Sequence, residues 1–188
     1  MKKLAVAVVL CAGLSACAAP ASSTEPVKES PVSAPSPSVV AEQPSGPGTY
    51  LAILGEAPVT VDIPGKADPE IAAALGKAGA KPLSWVAVTV DNRKGQTTAN
   101  VSVVGLSTAE GERVEFVRPE TFLKGPKMNS LPVDEYNELI ALNNKLNDVV
   151  EAGEKRTITL VSTKPMPEFV KADIAAGMGT SPIPLAKQ

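Results

Sequence analysis

LSWVAVTVD, residues Leu83–Asp91, is the most regular stretch of the chain. In an extended conformation Val86, Val88 and Val90 share one face, while Leu83, Trp85 and Ala87 share the other. Apolar residues on both faces mark a strand covered from two sides, as in the middle of a sheet. Asn92-Arg93-Lys94-Gly95 then has the composition of a turn, and Thr98–Gly105 reads as a return strand carrying Val101 and Val103. Glu110-Gly111-Glu112 is a second turn, before a strand Arg113–Val117 in which Val114 and Phe116 alternate with polar residues.

Upstream of this stretch, Tyr50–Leu54 and Pro58–Ile63 are two short β-rich runs split by Gly55-Glu56. Asp68-Pro69-Glu70 has the order N-cap, N1 proline and first-turn acid, which predicts a helix of about two turns containing Ile71 and Leu75. Downstream, Tyr136, Leu139, Leu142, Leu146 and Val149 recur at helical spacing within Asp134–Val150. Asp134, Glu135 and Glu138 crowd the start of that helix and Lys145 lies near its end, as the helix dipole favours. Arg156–Thr163 is another strand. Glu168–Ile174 fits both periods and is placed as a strand, because Arg156–Thr163 needs an antiparallel partner. The expectation is a mainly β domain: an antiparallel sandwich of about seven strands, with one inserted amphipathic helix and a short helical turn. Connections this short join antiparallel strands, not parallel ones.

Of the 188 residues, 44% are hydrophobic and only 3% aromatic, so the core is built from Val, Ala and Leu. There is no histidine, which removes the commonest general base and the commonest zinc ligand. The formal net charge of −2 gives no attraction for nucleic acid.

The first residues have a different character. Lys2 and Lys3 precede an apolar run, Leu4–Leu14, too short for a bilayer-spanning helix and suited to the core of a signal peptide. The run ends in Leu14-Ser15-Ala16-Cys17, which resembles the lipobox of bacterial lipoproteins. On that resemblance residues 1–16 are cleaved away, and Cys17 carries a diacylglyceryl group as the first residue of the mature protein. Losing Lys2 and Lys3 leaves a net charge of about −4. The only other cysteine, Cys11, falls in the cleaved segment, so the mature domain has no thiol for a disulfide, a metal or a nucleophile. The implied location is the extracytoplasmic face of the cell envelope. Ala18 rather than Asp follows Cys17, which in a two-membrane cell implies the outer membrane. Residues 17–48 are rich in Pro, Ser and Ala and too poor in large apolar side chains to repay folding, so they read as a tether. Residues 49–188 are then the folded domain.

The order of parts resembles a group of bacterial lipoproteins with an immunoglobulin-like domain of the immunoprotective extracellular type. The resemblance is carried by the lipobox and tether, by WVAVTVDNRKG at Trp85–Gly95, by the acidic-Gly turn at Thr108–Glu112, and by the helix and Gly-Glu-Lys lead-in to Gly153–Leu160. It implies an immunoglobulin-like sandwich and no shared catalytic residues.

Few residues suggest chemistry. Asp91, Asn92 and Asn100 offer oxygens, but no loop has the alternating acids of a calcium site, and turn formation accounts for them. Trp85 reads as core, and as a sugar-stacking platform only if its strand's outer face is bare. The loop Pro119–Leu131 holds Phe122, Leu123 and Met128, which a plain solvent loop does not need, beside Lys124 and Lys127. These five residues are the candidate partner contacts, with a core plug as the competing reading of Phe122 and Leu123. The expected function is a non-catalytic, lipid-tethered module that binds an envelope protein or polymer, with no cofactor or metal. The alternatives are a hydrolase accessory using Glu110, Glu112, Glu115 and Glu120, or a passive spacer.

Overall fold

The structure, a computed structural model, describes residues 45–123, 131–146, 149–177 and 179–188. The signal segment, Cys17 and the tether up to residue 44 lie outside the described residues, as do Lys124, Lys127 and Met128. Strands β1 (Gly48–Leu54) and β2 (Ala57–Ile63) form a hairpin. Helix α1 (Pro69–Lys77) follows, then β3 (Ser84–Asp91), β4 (Val103–Ser107) and β5 (Arg113–Val117). After a 3-10 turn at Pro119–Thr121 come helix α2 (Val133–Leu146), β6 (Lys155–Ser162), β7 (Lys171–Ala175) and two short strands, β8 (Ile183–Pro184) and β9 (Ala186–Lys187). All pairings are antiparallel, in the order β8-β7-β4-β5-β6-β3-β2-β1-β9.

Strand β3 lies between β2 and β6, and pairs with β6 along its whole length from Ser84–Ser162 to Asp91–Lys155. Its alternation gives the burial expected of a central strand: Val86, Val88 and Val90 are fully buried and the residues between them are half-buried. Helix α1 begins as its sequence dictates, with the Asp68 carboxylate accepting hydrogen bonds from the N–H groups of Glu70 and Ile71.

The sheet differs from the expected seven-stranded immunoglobulin-like sandwich. An immunoglobulin fold places its first two strands beside the fifth and fourth, and its third beside the sixth and seventh. Here β1-β2-β3-β6 run as neighbours, and β5-β4-β7 form the other run. The two runs touch at one pair, Val117–Val161. On the far side, β8 pairs with β7 and β9 with β1, so a single terminal strand crosses from one run to the other at Leu185. The result is one nine-stranded sheet curled into a nearly closed barrel.

Two strands depart from the sequence reading for one reason. The segment after the β3 turn does not fold back on β3, because β6 occupies that edge. Ala99 instead exchanges two backbone hydrogen bonds of 2.9 Å with Val150, and regular pairing of β4 begins only at Val103. Likewise β7 is a strand, but its partner is β4 rather than β6, and it starts at Lys171.

The described residues form two apolar clusters. The barrel interior is filled by alternate residues of the strands, with Tyr50 and Phe169 in contact at 6.0 Å between ring centres. The second cluster lies where α1 and α2 cover the sheet at Trp85 and Val161; Ile71, Leu75, Leu139 and Leu142 are buried in it. Tyr136 is exposed and Leu146 is only partly buried, so the helix buries a narrower stripe than its spacing suggests.

Candidate functional site

Beyond Val117 the chain runs Arg118-Pro119-Glu120, and both charged side chains are buried. Arg118 Nε lies 2.7 Å from Glu120 Oε1. The same guanidinium donates to Asn100 Oδ1 and to the carbonyl of Leu146, the last residue of α2. One side chain thereby joins the end of β5, the β3–β4 connection and the exit of α2. The buried guanidinium is offset by the carboxylate beside it and by these two hydrogen bonds.

Beside this knot, on the outer face of β7-β4-β5, is a cleft of about 700 Å³. Val103, Val117 and Ala175, which are cross-strand neighbours, lie along its base. Glu120 and Thr121 border it on one side, and Gly177, Gly179 and Thr180 on the other. At its upper end Arg113 reaches across β4 to Asp173, with two hydrogen bonds of 2.6 and 2.7 Å. Gly105 makes this possible: a Cβ there would sit 2.0 Å from the guanidinium. Arg113 also holds Glu115, at 3.2 Å. The arginines of the cleft are therefore matched to carboxylates of the protein itself, and the cleft offers an apolar base with a neutralised rim.

The four candidate acids are not arranged as a catalytic pair. Glu110 and Glu112 lie at the tip of the β4–β5 hairpin, where Glu112 approaches Lys164 at 3.6 Å. Glu115 and Glu120 line the cleft, each bound to an arginine. A general acid needs its pKa raised. The Glu110 carboxyl is instead held below its ordinary value, by a hydrogen bond from its own backbone and one from Thr108. Among the described residues, no group of three His, Cys, Asp or Glu side chains is placed to hold a metal ion. Asn92, weighed as an oxygen donor, is a structural clamp: its buried Nδ2 donates to the carbonyls of Thr97, Val150 and Glu151 at 2.9–3.1 Å.

Of the five candidate contact residues, the two described ones turn inward. Leu123 is buried in the helix-covered cluster and Phe122 packs against it, half-buried. The start of the nominated loop does border the large cleft, but through Glu120 and Thr121. Two further clefts flank the helices. One, of about 450 Å³, lies between α1 and α2, bridged by ion pairs Lys77–Glu138 and Glu70–Lys145. The other, of about 460 Å³, lies where α1 turns back toward β3, and Trp85 forms its aromatic wall. The Arg118–Glu120 knot is not foreshadowed by any motif; its one local signal is a pair of charges flanking a proline at a strand end. Compared with protein-family models, curated proteins and solved structures, the chain matches none.

Proposed function

We propose that this protein is a lipid-anchored, non-catalytic binding module on the extracytoplasmic face of a bacterial envelope, in the manner of the immunoglobulin-like envelope lipoproteins that its order of parts resembles. The observation that carries the reading is Leu14-Ser15-Ala16-Cys17, set behind Lys2, Lys3 and an apolar run and followed by a Pro-rich segment. Acyl chains on Cys17, each buried methylene contributing about 0.8 kcal/mol, would hold the chain at a membrane without a spanning helix.

The domain's character supports a binding role. Its interior is filled with side chains, so recognition falls to the outer clefts and loops. The acids of the cleft beside Arg118 are neutralised by Arg113 and Arg118, which favours binding over carboxylate catalysis. Replacing Cys17 by Ser tests the anchor: the variant is expected to lose acyl label and to be released or left unprocessed in cell fractionation. Processed, unlabelled protein that stays in the membrane fraction would overturn the reading.

A further inference from the structure

At one end of the barrel lies a cleft of about 270 Å³, between the β1–β2 turn, the β3–β4 connection and the segment leading from β7 into β8. Asn92 lines it and is itself only 2% exposed. The Nδ2 of that side chain is spent on the carbonyls of Thr97, Val150 and Glu151. Its Oδ1 accepts from no donor among the described residues, and unlike the Oδ1 of Asn143 it is not sealed from solvent. Gly95, which lines the same cleft, is what leaves it uncovered. The Gly95 backbone is outside the left-handed region, yet a Cβ there would sit 1.9 Å from that oxygen. A side-chain acceptor held this deep and open on one side gains free energy when a donor meets it.

We propose that this cleft binds a small organic ammonium ion, with a primary ammonium group donating to Asn92 Oδ1. The charge of the lining selects a cation. Glu56, in the β1–β2 turn, is the only charged residue among the described residues that line the cleft, and no described basic side chain pairs with it. The walls select an organic one. Leu54, Ala57 and Ile183 would cover a short carbon body, and the mouth of a barrel is a common place for such a ligand. A bare metal ion is the competing occupant. Calcium takes six to eight oxygens and magnesium a near-ideal octahedron, whereas this lining offers one carboxylate beside apolar walls. The proposal deepens the binding-module reading and does not depend on the lipid anchor.

The Asn92 side-chain amide reports on its own oxygen, so nitrogen-15 NMR reads the contact directly. Titrating the labelled protein with ethanolammonium chloride at pH 7 is expected to shift the Asn92 Nδ2 and Gly95 amide signals saturably. Tetramethylammonium carries the same charge without an N–H and is expected to leave them in place. Glu56→Gln removes the charge from an exposed turn residue. It is expected to keep the melting temperature and to weaken ethanolammonium binding by about threefold or more. Any of four results would overturn the proposal: no saturable shift at Asn92, an equal response to tetramethylammonium, a response that potassium or calcium chloride reproduces, or unchanged affinity in Glu56→Gln. None of them alters the Cys17→Ser fractionation result, which bears on the anchor alone.

Discussion

Asn92 shows how one side chain closes an end of the barrel. Its Nδ2 binds three carbonyls, its backbone carbonyl accepts from Gly95 and Gly153, and its N–H donates to Glu154. Only an amide serves this position. In Asn92→Asp a carboxylate would face three carbonyl oxygens, and the protein should lose about 2–4 kcal/mol at neutral pH. The sign of its pH dependence follows from the same contact. The folded carboxyl would be raised, so the loss is greatest above the ordinary aspartate range and shrinks as pH falls through it. The unaltered protein behaves oppositely at the neighbouring residue. Asp91 is depressed to about 2 by Arg93, so its contribution is present above about 4 and fades as pH falls toward 2. Melting curves of both proteins at pH 7 and pH 4 separate the effects. Equal destabilisation at the two pH values would mean that the Asn92 amide is not what the three carbonyls require. The sequence identifies Asn92 as a turn residue, but its partners at Val150 and Glu151 lie 58 and 59 positions away, beyond the reach of any local rule.

The two helices form an antiparallel pair on the outside of the sheet. Lys77 near the end of α1 meets Glu138 near the start of α2, and Glu70 meets Lys145 at the opposite end. These pairs are well exposed, so each contributes little and is screened by salt. Apolar burial does most of the holding. Leu139→Ala and Leu123→Ala should each cost about 2–5 kcal/mol, because both side chains are 2% exposed in the same cluster. Asn144→Ala, on the exposed face of α2, should be near neutral in the same thermal melt. Similar costs for Leu139→Ala and Asn144→Ala would mean that α2 does not pack on the sheet through this face. Local periodicity reveals such elements well. The Asp68 cap, the stripe of α2 and the alternation of β3 are all legible in the order of residues alone. The nominated loop is legible only as apolar: whether Leu123 faces a partner or the core depends on where α1 and α2 meet, which no window of sequence contains.

The order of strands is set by long-range pairing, and there the sequence is least informative. Short connections do imply antiparallel strands. They do not reveal that β6 lies against β3, or that Ile183–Lys187 forms strands at all, since two-residue strands interrupted by proline carry no periodic signal. Yet this last segment completes the barrel. Ile183 and Pro184 pair with β7, Ala186 and Lys187 pair with β1, and Leu185 between them is 2% exposed, its N–H donating to Ala172. Gln188 N–H donates to Thr49 O, and Lys187 Nζ reaches the carbonyl of Ser45, so both ends of the domain are fastened at one edge. Without the segment, β1 and β7 would become open edges, and β1 already presents Leu51 and Ile53, 43% and 62% exposed. Open, apolar edges recruit other chains. Leu185→Ala should therefore cost about 2–5 kcal/mol while leaving the protein monomeric, because the backbone pairing survives. Removing Ile183–Gln188 should lower the melting temperature further and drive association, seen as faster sedimentation at rising concentration. A truncated protein that melts and sediments like the intact one would show that the barrel is held by its other pairings, with the terminal strand merely resting on it.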